Sequence, residues 1–315
     1  MPAATERQDT EFTSGDAVCR AWLYRPAADG ARPCIVMAHG LGGLRTASLE
    51  PYALRFAAAG FAVLLFDYRH FGASDGQPRQ LVDIGHQLQD WAAAIAHARR
   101  LPGVDAERIA LWGTSFSGGH VVVAAARDGR VAAISAQGPM MDGLAAALNI
   151  VRYAGLMQLL RLAFRGLRDA VGALFGRPPL LVPLVAPPGR LATMSTPDAM
   201  PGYRAIVGPD WVNGIAARFA LALSFYRPVA HAHKVNCPAL IIVANDSVAP
   251  AAAAVRTADR IGPLAEWVRL PLGHFDLYVG AGFERTCSHQ LAFFSRVMAP
   301  LAGSLPTAAR LAQVA

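Results

Sequence analysis

Gly113-Thr114-Ser115-Phe116-Ser117-Gly118-Gly119 sets a serine between an apolar strand-like run, Arg108 to Trp112, and a helix-like run, Ser117 to Arg127. A serine at a sharp strand-to-helix turn presents its hydroxyl as a nucleophile, and the G-x-S-x-G pattern supplies the small residues such a turn needs. Ser117 stands where that pattern has glycine. It is small, so the turn stays feasible, but alone the segment also reads as a glycine-rich connector. Three other segments supply what the serine lacks. His39-Gly-Leu-Gly-Gly43 follows an apolar strand. Its glycines let backbone N–H groups approach a carbonyl oxygen, and the N–H groups of Leu41 and Phe116 are the expected oxyanion donors. Asp246 follows the apolar run ending at Ala244, where a carboxylate can orient a histidine; Asp142, after an earlier strand, is the rival acid. His274 follows the run ending at Leu270. Ser115, His274 and Asp246 then suit the roles of nucleophile, general base and orienting acid.

Elements must bring these segments together. Val18 to Arg25 alternates apolar and polar residues and reads as a half-buried strand. Cys34 to Ala38, Phe61 to Phe66, Arg108 to Trp112 and Val131 to Ser135 read as strands of one sheet, separated by helices at about 48–59, 85–100 and 117–127. That rhythm argues a mostly parallel α/β sheet. It stops after Pro139 and resumes with a strand at 237–244, a helix at 251–261, a strand at 266–270 and a closing helix at 283–298. The expected organisation is a core (1–140), a helical cap insertion (141–228), the rest of the core (229–300) and a tail (301–315). Of the other histidines, His39 helps shape the turn at 39–43. His86, His97, His120 and His289 fall in expected helices, His70 lies at a strand end, and His231 and His233 lack a third metal ligand.

The segments HGLGG (39–43), DYRHFGASDG (67–76), LWGTSFSGGH (111–120), CPALIIVANDSVAP (237–250) and LGHFDLYVG (272–280) stand in the order found in the α/β-hydrolase superfamily, which the chain resembles over nearly its whole length. It is most similar to bacterial cap-bearing serine esterases of the acetylxylan esterase and X-Pro dipeptidyl-peptidase-like branch, and similar also to fungal polyketide transferases. The resemblance implies an α/β-hydrolase fold with a mostly parallel sheet, flanking helices and an inserted cap. It makes DYRHFGASDG a structural turn, and implies acyl transfer through an acyl-enzyme on Ser115. No metal or cofactor is expected. Hydrolysis of a carboxylic ester or thioester is the leading expectation. Acyl transfer to another acceptor and carbon–carbon hydrolysis use the same groups. A peptidase would need acids to hold a substrate amine. A ligand-binding protein with a degenerate site is the non-enzymatic alternative.

Composition bounds the partners. The chain has 315 residues, 54% of them hydrophobic and 16% charged, with a net charge of +7; arginine provides all of the positive charge but Lys234. This excludes a disordered chain. No basic cluster interleaved with stacking aromatics points to nucleic acid. Residues 143–197 hold Arg152, Arg161, Arg165, Arg168, Arg177 and Arg190 against one acid, Asp169, so +5 of the charge lies there. On a helix, Arg161, Arg165 and Arg168 share one face beside an apolar stripe of Leu156, Leu160, Phe164, Leu167, Val171 and Leu174. The expected arrangement buries the stripe over the active site and solvates the arginines; association of the basic cap with a membrane or carrier surface is the alternative. An apolar acyl substrate is expected, held by wall residues from Met140, Phe164, Trp211 and Phe225, with Met141, Phe175 and Phe219 as further candidates. No transmembrane span is expected, because Arg152 and Arg161 interrupt the most apolar stretch. The acidic first sixteen residues do not read as a signal peptide, and Cys19, Cys34, Cys237 and Cys287 show no paired spacing. Both point to the cytoplasm.

Overall fold

Runs apolar at every position suit strands covered on both faces, and they form the centre of the sheet. A computed structural model describes residues 5–26, 30–246 and 248–299. The first two strands, β1 (Thr5–Ser14) and β2 (Ala17–Pro26), form an antiparallel hairpin. There follow β3 (Arg32–Ala38), α1 (Glu50–Ala58), β4 (Ala62–Phe66), α2 (Ile84–Ala98), β5 (Val104–Thr114), α3 (Phe116–Asp128) and β6 (Ala133–Gln137). The insertion holds α4 (Gly143–Ala154), α5 (Leu156–Leu174), β7 (Leu181–Val182), α6 (Ala199–Ile206), β8 (Ile215–Ala216) and α7 (Phe219–Ala222). The core closes with β9 (Ala239–Ala244), α8 (Ala251–Ile261), β10 (Ala265–Leu270) and α9 (Gly280–Val297). The sheet order is β1-β2-β4-β3-β5-β6-β9-β10. β2 runs antiparallel to both neighbours, and the pairs from β4 to β10 are parallel. The carboxyl ends of β5, β9 and β10 therefore open on one edge, where ligands bind in sheets of this kind.

β1 was not among the expected strands. Among its described side chains only Phe12 and Ser14 are buried, so apolar periodicity hardly marks it; pairing with β2 makes the strand. β7 and β8 form a small antiparallel pair inside the insertion, where only helices were expected. The expected tail at 301–315 lies outside the described residues.

The packing of α5 corrects the expected arrangement of the insertion. The residues it buries are Gln158, Leu162, Gly166 and Asp169. Its long apolar stripe points away from the protein, with Phe164 65% and Leu174 83% exposed. Hydrogen bonds set this roll. Gln158 Nε2 donates to the carbonyls of Arg190 (3.0 Å) and Ala192 (3.2 Å). Asp169 accepts from the backbone N–H groups of Leu180 (2.7 Å) and Arg218 (3.0 Å), and from the Arg218 guanidinium. Burial opposes the charge of Asp169, but these donors outweigh it and hold the pKa below the ordinary carboxylate value. Turning the stripe inward would break every one of these bonds. Among the described residues, no helix is long and apolar enough to cross a membrane. The four cysteines are free and buried.

Candidate active site

Ser115 sits between β5 and α3 with φ 56° and ψ −118°, a strained backbone for a residue with a side chain. The turn is tight enough that a Cβ on Gly113 would lie 2.3 Å from the carbonyl oxygen of Ser117, so glycine is required there. Backbone bonds hold the turn from both sides. Ser115 N–H donates to the Gln137 carbonyl (2.8 Å), and Met140 N–H donates to the Ser115 carbonyl (2.9 Å). Ser117, the departure from the G-x-S-x-G pattern, is fully buried. Its hydroxyl lies 2.7 Å from the Tyr68 hydroxyl, which also accepts from Trp91 Nε1 at 2.7 Å. Serine therefore fits a position usually left to glycine because a buried hydroxyl partner is waiting for it.

The structure brings Ser115, His274 and Asp246 together from the ends of three strands. His274 Nδ1–H donates to Asp246 Oδ2 at 2.5 Å, and His274 Nε2 faces Ser115 Oγ at 3.1 Å. The carboxylate can only accept, so the proton sits on Nδ1 and Nε2 is free to accept the serine hydroxyl. The other Asp246 oxygen accepts from Val248 N–H (2.6 Å) and Ala249 N–H (2.9 Å). Burial opposes protonation of His274, but the charge and hydrogen bond of Asp246, with the charge of Asp198, raise its pKa above the ordinary histidine value. The rival acid, Asp142, is engaged elsewhere. It caps α4 through Leu144 N–H (3.1 Å) and Ala145 N–H (3.3 Å), and it pairs with Arg227 at 2.9 Å.

Residues 39–43 lie against the serine: a Cβ on Gly40 would come 2.9 Å from the Ser115 Cβ. Asp67, at the end of β4, accepts from Arg45 N–H at 2.7 Å and so fixes the far end of this loop. His39 is buried behind the loop, its Nδ1 2.9 Å from the Gly40 carbonyl. The insertion holds the middle. Tyr203 donates its hydroxyl to the Leu41 carbonyl, and Trp211 Nε1 donates to the Gly42 carbonyl at 2.8 Å. The two rings stack at 5.1 Å. Gly42 has φ +60°, and a Cβ there would meet Leu184 at 2.9 Å. Tyr203 carried no signal in the sequence; one tyrosine in a proline-rich stretch shows its purpose only once tertiary contacts exist.

A cleft opens on Ser115, lined by Leu41, Phe116, Met140, Ile150, Met194 and Leu223 among others. Leu41 and Phe116, the expected oxyanion donors, line this cleft beside the serine, and Met140 forms part of its wall. The other three expected wall residues are placed differently. Trp211 supports the loop at Gly42. Phe164 rides on the outward stripe of α5, and Phe225 is 86% exposed on the surface of the insertion. Of the further candidates, Phe219 packs edge-on to Phe116 at 5.4 Å, Met141 is core, and Phe175 is exposed. A smaller space meets the same serine, lined by His274, Tyr203 and Tyr278 among others.

Known proteins are similar to this chain in sequence and fold. The profile of the X-Pro dipeptidyl-peptidase (S15) family matches residues 15–173. The quorum-quenching protein AidA of Acinetobacter baumannii is 45% identical over 295 residues, which span 92% of this chain and 95% of that protein. A polyketide transferase of Aspergillus fumigatus is 30% identical over 92% of this chain and 98% of its own length. Among solved structures, the α/β hydrolase GrgF of a Penicillium species superposes with a TM-score of 0.80 at 28% identity, over 94% of this chain and 100% of that one.

Proposed function

We propose that this chain, which belongs to the X-Pro dipeptidyl-peptidase (S15) family and has the α/β-hydrolase fold, is a serine hydrolase of carboxylic esters or thioesters with an apolar acyl group. The observation that carries the reading is the relay from Asp246 through His274 to Ser115, with hydrogen bonds of 2.5 and 3.1 Å, at the mouth of an apolar cleft. In this mechanism His274 Nε2 takes the Ser115 proton as Oγ attacks the substrate carbonyl. The N–H groups of Leu41 and Phe116 stabilise the oxyanion, and the N-terminus of α3 adds its positive dipole. His274 then gives its proton to the leaving alcohol or thiol. Water, activated by the same histidine, cleaves the acyl-enzyme. The insertion acts as a cap: Met194 and Leu223 close the acyl cleft from above.

Two observations bear on the alternatives. The one acid in 143–197, Asp169, is buried and bonded to Arg218. It is therefore unavailable to hold the free amine of a peptide, whereas Asp198, whose charge acts on His274, lies within reach of the site. The second space beside His274 lies where a leaving group would depart or an acceptor enter. With a polyketide transferase among the relatives, transfer to an acceptor other than water is the second reading. The free, buried cysteines suit a reducing cytoplasm.

A p-nitrophenyl ester series tests the acyl preference. Hexanoate has four more methylenes than acetate, and at ~0.8 kcal/mol per buried methylene the gain in kcat/KM reaches about 200-fold. Equal or better kcat/KM for acetate would contradict the apolar-acyl reading.

A further inference from the structure

α5 is amphipathic in the reverse of the usual sense. A surface helix normally turns its apolar stripe to the core. Here Gln158, Gly166 and Asp169 face inward, fixed by the hydrogen bonds described above. Leu156, Leu160, Phe164, Leu167, Val171 and Leu174 face outward, from 46% exposed at Val171 to 83% at Leu174. Arg161, Arg165 and Arg168 are also exposed, and at helical spacing they form a row along one edge of the stripe. An exposed apolar strip of this extent marks an interaction surface.

We infer that α5 seats the protein on an anionic lipid bilayer. The helix lies in the plane of the interface, its stripe at the acyl boundary and its arginines among the headgroup phosphates. Charge decides between this occupant and a second copy of the chain. A symmetric pair places the same surface on both partners, so each copy brings the same three arginines. The one carboxylate of 143–197, Asp169, is buried against Arg218 and cannot answer them. A phosphate-bearing surface neutralises the row, and the stripe leaves water in the same act.

Sedimentation of the full chain with phosphatidylcholine vesicles, with and without phosphatidylglycerol, tests the inference. The protein should sediment with the anionic vesicles, release with added salt, and stay in solution with phosphatidylcholine alone. At roughly one kcal/mol per arginine near such a surface, Arg161→Gln/Arg165→Gln/Arg168→Gln should weaken binding on the order of 100-fold. Leu160→Ser/Leu167→Ser should lose binding too. Unchanged circular dichroism and thermal midpoints establish that both variants fold. Failure to bind anionic vesicles at low salt overturns the inference, as does equal binding to neutral ones. So does a dimer by light scattering that Leu160→Ser/Leu167→Ser splits into monomers, because the second copy would then be the occupant.

Discussion

Asp246 divides its two oxygens between two tasks. One accepts backbone N–H groups from Val248 and Ala249 and fixes the carboxylate; the other accepts from His274. Burial disfavours a charged His274, and Asp246 reverses the balance. The base must be neutral to take the serine proton. Activity is therefore lost as pH falls through a pKa that lies above the ordinary histidine value of about 6.5. The acid limb of kcat/KM against pH, followed with p-nitrophenyl hexanoate, should have its midpoint above that value; a midpoint at or below it would count against the relay. Asp246→Asn removes the main counter-charge and leaves burial opposed by Asp198 alone. The limb should then move to lower pH, and kcat should fall by up to about 10⁴-fold, the scale seen when such a histidine loses its acid. These three residues were legible in the sequence because each follows an apolar strand-like run directly, so the fold needs little more than sheet pairing to gather them. Asp142 also follows a strand, and what separates it from Asp246 is tertiary: Arg227 and the N-terminus of α4 occupy it.

At the scale of elements, the insertion does more than line the cleft. It holds the 39–43 loop through Tyr203 and Trp211 while Asp67 holds the end at Arg45. Losing one oxyanion donor costs about 10² to 10³ in kcat; a donor present but loosely held should cost less. Tyr203→Phe and Trp211→Phe are each expected to lower kcat roughly 10-fold with KM little changed, a split that locates the loss in the transition state. Unchanged kcat in the folded variants, with only the thermal midpoint lowered, would make both residues merely structural. The same element shows where sequence reasoning stops. Periodicity identified the stripe from Leu156 to Leu174, yet it carries no information about which face meets the protein. The side chains of Gln158 and Asp169 decided that, through partners far along the chain at Arg190, Ala192 and Arg218. Phe164 was misplaced as a cleft residue for this reason.

Across the whole molecule, the core and the insertion are tied by a buried polar chain. His120 of α3 meets Gln87 of α2 at 2.9 Å and Tyr226 of the insertion at 2.5 Å. Gln87 Oε1 accepts, so His120 Nε2 donates and Nδ1 takes the Tyr226 hydroxyl; the ring is neutral. Burial lowers its pKa to about 3. An unfolded histidine titrates near 6.5, so below that pH the unfolded state binds a proton that the folded state refuses. Stability therefore falls as pH drops, by about 1.4 kcal/mol per pH unit from this one group. In urea unfolding, wild type should lose about 2 kcal/mol more than His120→Gln between pH about 7 and pH about 5; parallel losses would show that His120 is not the sensor. The parallel sheet itself was legible from its all-apolar strands. β1 was not, because it lies at the sheet edge with Phe12 as its one buried large side chain, and the hairpin pairing that defines it is not a local property.

The proposed mechanism turns on Ser115 as the nucleophile. Labelling the full chain with a fluorophosphonate and mapping the modified peptide tests it most directly. One adduct is expected, on Ser115, with none on Ser115→Ala and loss of ester hydrolysis in that variant. An adduct on another residue of the active protein, or full activity in Ser115→Ala, would contradict it.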